Sequence, residues 1–140
     1  VRQVLNHMRP DALKSYTLES ALSKMLNEYS DISHIKIKLD YEWGNANFQK
    51  TTENIIFRVI EETVTNSLRH GHATKIWIKC TSNNSSYILS IHNNGKSETH
   101  IKPGYGITQM RERLTIINGT VEFDGKKGFT TVVKFPKVGV

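Results

Sequence analysis

One cysteine, Cys80, in a chain of 140 residues excludes an internal disulfide and suits a reducing compartment. It falls in a strand-like stretch, where a thiol serves as small core filling. No cysteine and histidine cluster has the spacing of a zinc site. No apolar run approaches the roughly 20 residues that cross a bilayer, and no signal peptide opens the chain. These absences point to a cytosolic piece, and the start at Val1 without methionine reads as a domain cut from a longer protein. Lys and Arg total 19 against 13 Asp and Glu. The basic residues are scattered, with Arg2, Lys24, Lys36, Lys79 and Lys134 far apart and no run among them, which argues against nucleic acid as a partner. There is no internal repeat and no low-complexity tract. The length fits one domain with one core.

Leu18, Ala21, Leu22, Met25, Leu26 and Tyr29 recur at helical spacing behind Thr17, a suitable N-cap. From Ile35 the pattern becomes strict alternation, with Ile35, Ile37, Leu39, Tyr41 and Trp43 on one face of a half-buried strand and charged residues on the other. After a break at 44–49, Thr51 or Thr52 is placed to cap a long second helix reaching His70, with Gly71 as its stop. Lys75 to Cys80 alternates again, Asn83 and Asn84 supply a turn, and Tyr87 to His92 returns antiparallel. A polar segment, Asn93 to Pro103, leads to a third helix from about Tyr105 to Ile117. Gly119 to Phe123 and Gly128 to Phe135 close the chain as a hairpin. The first fifteen residues read as a linker with a turn at Arg9 and Pro10.

Chemistry gathers in two places. In Gly104 to Leu114, two glycines one residue apart stand directly before a helix. Glycine lets backbone approach a phosphate, and a helix start offers unpaired amides and the positive end of its dipole. Taken alone, the same pattern also describes a tight turn. On the second helix, at about 100° per residue, Ile56, Val59, Ile60, Thr63, Val64 and Ser67 make the core face, and Asn66 projects between the directions of Ile55 and Val59. Glu62 and His70 lie one turn on either side of Asn66, giving a polar stripe along the edge of the core. Buried polar groups need partners. An ordered water or a capped loop answers that need, and so does a metal ion with its phosphates.

These motifs together resemble the nucleotide-binding domain of the GHKL ATPases, and more closely the catalytic domain of sensor histidine kinases of the nitrate-sensor and desaturase-sensor type. The resemblance is most specific in IFRVIEETVTNSLRHGHATKI, Ile56 to Ile76, similar to that family's N box. It continues through GYGITQMRERLTIINGTVEFDGKKGFTTVVKFP, Gly104 to Pro136, similar to its second glycine box and closing hairpin. Even Leu5 to Leu22 is similar to the segment that joins the dimerisation helices to the catalytic domain. The resemblance implies an α/β two-layer sandwich, a mixed sheet of about five strands with three helices on one face. It divides the chain into a linker over 1–16 and an ATP-binding domain over 17–140.

By the same resemblance, Asn66 would ligate Mg²⁺ bridging the ATP phosphates, and Glu62 would be the catalytic residue, as a base or by orienting a water. Arg69 and His70 resemble the basic pair beside the phosphates. Gly104, Tyr105, Gly106 and Ile107 would offer the backbone that cradles them, and Lys102, with Lys96, could reach them from the preceding loop. Asn93 stands where the family has the Asp that accepts from the adenine amine, Gly95 is retained, and Ser97 replaces a second glycine. An amide oxygen still accepts that hydrogen bond but lacks the charge that strengthens it.

The phosphoacceptor histidine motif of such kinases is absent. His7 is followed by Met8, and His34, His72 and His100 fall in strand or loop settings. The implied partners are therefore ATP, a histidine-bearing dimerisation domain of the same protein, and a response regulator reached through the whole kinase. The implied setting is the cytoplasmic part of a membrane-bound parent. Dimer contacts would lie in that missing domain, so the chain is expected to be monomeric. Two other expectations stand beside this one: a degenerate relative serving as a regulatory module, favoured by Asn93 and Ser97, and an anti-sigma serine kinase, which the linker-like Leu5 to Leu22 disfavours.

Overall fold

The computed structural model describes residues 16–70, 72–95 and 105–137. The expected linker over 1–16 falls outside these residues except for Tyr16. Its elements follow the sequence periods closely. Helix α1 spans Leu18–Ser33 and buries the six apolar residues named above. The Thr17 hydroxyl accepts from the Ser20 amide at 3.2 Å as its N-cap. At its other end His34 takes a left-handed conformation, φ 62°, and its N–H bonds to Ser30 O. Strand β1 is Lys36–Tyr41. Helix α2 is Lys50–His70. It starts before Thr51 and Thr52, which lie inside its first turn and do not cap it, because Glu53 N already bonds back to Gln49 O. The expected stop at Gly71 is outside the described residues.

Strands β2 (Lys75–Ser82) and β3 (Ser86–Asn93) form the expected antiparallel pair. Asn83 builds the turn between them, its Oδ1 accepting from the amides of Ser85 and Ser86. Helix α3 is Tyr105–Thr115, and β4 (Thr120–Asp124) and β5 (Phe129–Pro136) are the closing hairpin. The sheet order is β1-β2-β3-β5-β4, with β1 and β2 parallel and the other pairs antiparallel. The parallel pair is joined by α2, as a parallel connection requires a crossover.

The core lies between one sheet face and the three helices, filled by residues such as Leu22, Met25, Ile60, Ile78, Leu89 and Val133. At the end where β1 stops, Trp43 packs edge-on against Tyr41, Phe48, Tyr87 and Phe135. Its indole N–H donates to Thr81 O at 2.6 Å, so the one polar atom of a buried ring is satisfied. That aromatic plug anchors the end of the sheet opposite Asn93.

Candidate functional site

Helix α2 supplies most of the candidate residues. Its expected core face is buried throughout, from Ile56 to Ser67. The helix is covered on further sides as well, since Ile55, Phe57, Glu61 and Thr65 are also buried. An exposed strip remains, including Thr51, Asn54, Asn66 and Arg69, with Glu62 half-buried on it. Asn66 therefore differs from its expected place at the edge of the core. Its direction matches that of buried Ile55 and Val59, but two to three turns further along, the covering layer has run out. Its amide has no hydrogen-bond partner among the described residues.

Glu62 Oε1 accepts from Arg113 Nη1 of α3 at 2.5 Å. Nothing in the local pattern of α3 marks Arg113 for this pairing, which links positions far apart in sequence. The neighbouring Glu61 has a different fate. It is fully buried, accepts from Arg58 Nη1 at 3.0 Å, and receives the Tyr29 hydroxyl of α1 at 3.4 Å. Burial, with the carboxylate beside it, pushes the Tyr29 hydroxyl well above its ordinary range. The Arg58 spacing of three residues was the only sequence signal for this pair.

Asn93 ends β3 with 4% of its surface exposed. Its Oδ1 accepts from the Gly95 amide at 2.9 Å, and its Nδ2 donates to Ser67 Oγ at 3.0 Å. Ser67 in turn donates to Thr63 O at 3.0 Å. The Gly95 N–H can face only the oxygen of the amide, which fixes its orientation and leaves that oxygen one further lone pair. Asn93 is thus joined to the N-box-like helix by a side-chain bond that sequence alone did not reveal. Behind it, Gly128 has φ +72°, and a Cβ there would stand 2.2 Å from Asn93 O. Only glycine lets the β5 hairpin approach this close. Asn94 closes the same corner, its Oδ1 accepting from the amides of Thr74 and Lys75.

Thr131 was not anticipated from the sequence. It lies on the helix-facing side of β5, 1% exposed, and its hydroxyl is a buried side-chain polar atom with no hydrogen-bond partner among the described residues. Thr131 pairs with Ile91, two residues from Asn93 along β3. A buried hydroxyl left unpaired is costly and calls for a ligand or a water.

The remaining candidates stand as follows. Arg69 is exposed, and Ile107 is half-buried in the first turn of α3. Tyr105 and Gly106 open α3, while the side chain of His70 and all of Lys96, Ser97, Lys102 and Gly104 lie outside the described residues. Among the described residues no three His, Cys, Asp or Glu side chains converge as a metal cluster, and no helix is long and apolar enough to cross a membrane. Cys80 is buried, as its strand position suggested. A recess of about 560 Å³ lined by Tyr16, Tyr41, Trp43, Phe48, Lys50 and Glu53 sits at the start of α2, the opposite end of that helix from Asn66. It is separate from the convergence of Glu62, Ser67, Asn93 and Arg113.

The chain is 30% identical over 139 residues to the sensor histidine kinase LiaS of Bacillus subtilis, covering 96% of this chain and 38% of that protein. It is 28% identical over 123 residues to the sensor protein VraS of Staphylococcus aureus, covering 86% of this chain and 35% of that one. It thus spans little more than a third of the length of these relatives. Among solved structures it matches the histidine kinase domain of a blue-light activated histidine kinase from Erythrobacter litoralis, with TM-score 0.73, 14% identity, and 85% and 64% of the two chains covered. It also matches the catalytic domain of the histidine kinase ThkA, with TM-score 0.69, 15% identity, and 86% and 91% covered. No family model matches the chain.

Proposed function

We propose that this chain, a relative of the sensor histidine kinases with the fold of their catalytic domains, is the ATP-binding unit of such a kinase and donates the γ-phosphate to a histidine on another domain. The observation that carries the reading is a convergence. Two side-chain bonds, Glu62 to Arg113 and Ser67 to Asn93, tie α2 to α3 and to the strand end at Asn93. These two bonds support a reading in which α2, α3 and the Asn93 strand end frame one nucleotide site.

Each residue has a physical role in this reading. The free lone pair of Asn93 Oδ1 suits the adenine amine, and the unpartnered Thr131 hydroxyl suits the base or a water held beside it. Arg69, His70 and Lys102 supply positive charge near the phosphates, and Gly104 to Ile107 supply backbone amides. Mg²⁺ fits Asn66, whose amide is exposed and unbonded, because this hard cation takes few protein ligands and draws the rest from phosphates and water. When bound it supplies charge neutralisation on the phosphates. Glu62, held by Arg113, is placed to orient a nucleophile or a water. Phosphoryl transfer depends chiefly on positioning and charge, which this set provides.

The rest of the reading concerns the parent protein. Residues 1–16 would link this domain to dimerisation helices bearing the acceptor histidine. The parent would hold the domain on the cytoplasmic side of a membrane and pass phosphate to a response regulator, and the chain alone would be monomeric. The kinase subtype is that of the nitrate and desaturase sensors. Labelled ATP incubated with this chain and a separately supplied histidine-bearing dimerisation domain tests the proposal. Label is expected on the dimerisation domain and none on the chain. Acid-labile label on the chain itself, or none on either, contradicts it.

A second reading rests on Asn93. Both of its amide groups are already engaged within the protein, and it carries no charge. A regulatory domain with weakened nucleotide binding is consistent with that. Restoring the carboxylate by Asn93→Asp and finding no gain in ADP affinity would favour it.

A further inference from the structure

The sheet face turned away from the helices is asymmetric in charge. At outward positions of β1 and β2 stand Lys36, Lys38, Lys75 and Lys79 around Trp77, with one carboxylate, Asp40, among them opposite Lys79. In the parallel register Lys36 faces Lys75 and Lys38 faces Trp77. None of the four lysines makes an ion pair among the described residues. Like charges directly opposite on neighbouring strands are destabilising. Lysines on an edge strand such as β1 have a purpose in blocking strand addition, but β2 is paired on both sides and needs no such guard.

Trp77 adds a second observation. It is a large apolar side chain with 37% of its surface exposed, and its ring stacks on His92 of β3 at 5.5 Å and 29°. His92 Nδ1 lies 2.7 Å from Thr130 Oγ1, which fixes the imidazole under the indole. The ring is therefore held in one pose beside Lys36, Lys38 and Lys75, while Lys79 faces Asp40. A preorganised aromatic anchor among four lysines and a single carboxylate, Asp40, has the anatomy of an interaction surface with a net positive rim.

We infer that the β1–β2 half of the outer sheet face docks an acidic polypeptide segment, whose carboxylates meet the four lysines and whose aromatic or aliphatic side chain packs on Trp77. The other half of the face narrows the choice of partner. Glu122 and Asp124 stand outward on β4, at the far edge of the same sheet, with a single lysine, Lys134 of β5, beside them. An anionic bilayer is broad enough to meet those carboxylates and be repelled by them. A nucleic acid would find few cations for its phosphates. An acidic segment about two strands wide, roughly 10 Å by strand spacing, covers the lysines and stops short of β4. The surface lies on the opposite side of the sheet from Glu62, Asn66 and Ser67, so it stands whether or not the chain binds nucleotide.

A dye-labelled glutamate–tyrosine copolymer is the probe, with its fluorescence anisotropy as the readout, which is available in every variant including Trp77→Ala. Saturable binding is expected, weakened on the order of tenfold in the Lys36→Glu/Lys75→Glu variant and in Trp77→Ala. The Lys24→Glu/Lys127→Glu variant, of equal net charge, and added ADP should leave it unchanged. Melting temperatures equal to the parent protein show that the variants fold. Equal weakening by the two double variants would mean diffuse attraction of any polyanion and overturns the proposal. So does the absence of saturable binding, or tighter binding to phosphatidylserine vesicles or to a single-stranded oligonucleotide.

Discussion

Arg113 Nη1 on α3 meets Glu62 Oε1 on α2 at 2.5 Å, across 51 positions of sequence. Glu62 is 14% exposed and Arg113 33% exposed at their side chains, so the pair is shielded on one side and screened by water on the other. It joins the helix that carries Asn66 to α3. A double-mutant cycle between Arg113→Met and Glu62→Gln should give a coupling of about 1 kcal/mol in urea unfolding, discounted for the exposure of the arginine. Strictly additive effects would show that the two groups do not stabilise one another.

Thr131 predicts two effects of opposite sign. Thr131→Val removes a buried hydroxyl without a partner and keeps the shape, so the ligand-free protein should gain up to about 1 kcal/mol of stability. If the hydroxyl serves the nucleotide base, the same variant should bind ADP several-fold more weakly. A variant that loses stability and binds ADP normally would place the hydroxyl in an internal hydrogen bond instead.

Cys80 should be inert in the folded protein. Burial pushes its thiol up to about 12 from an ordinary 9.0, and burial likewise raises the Tyr41 hydroxyl, as it does that of Tyr29. Groups whose folded values are raised contribute stability that is fully present below their unfolded values. That stability is lost as pH climbs through the folded ones. Melting temperature should therefore not fall on account of these groups below about pH 9, and should decline from there towards pH 12. A disulfide reagent at neutral pH should label Cys80 only at the rate of unfolding; fast labelling of the native chain would mean that the strand is open.

The elements were legible in the sequence where one period held over many residues. Alternation from Ile35 and the helical repeats behind Thr17 and through Ile56 to Ser67 gave elements that the structure reproduces within a few residues. The two-layer architecture of five strands and three helices followed from the family resemblance, and the observed sheet agrees. Periodicity could not separate Glu61 from Glu62. It assumes one covered face, whereas α2 is covered on most sides, so the two carboxylates differ by which neighbour reaches them. It also missed Ser67 to Asn93 and the approach of Gly128, because contacts between distant segments leave no local pattern. Asn66 was displaced from the core edge for a related reason: a helical direction keeps its angle along the helix but not its cover.

The account rests on the claim that the end of α2 holds a metal-bound adenine nucleotide. Calorimetric titration of ADP into the chain, with Mg²⁺ and with a chelator, tests it in the parent protein and in Asn66→Ala. The account predicts saturable binding that falls at least about tenfold on chelation and again in Asn66→Ala, with the melting temperature of that variant unchanged because the amide is exposed and makes no internal bond. Binding by Asn66→Ala as tight as by the parent, or no binding by the parent at all, would contradict it.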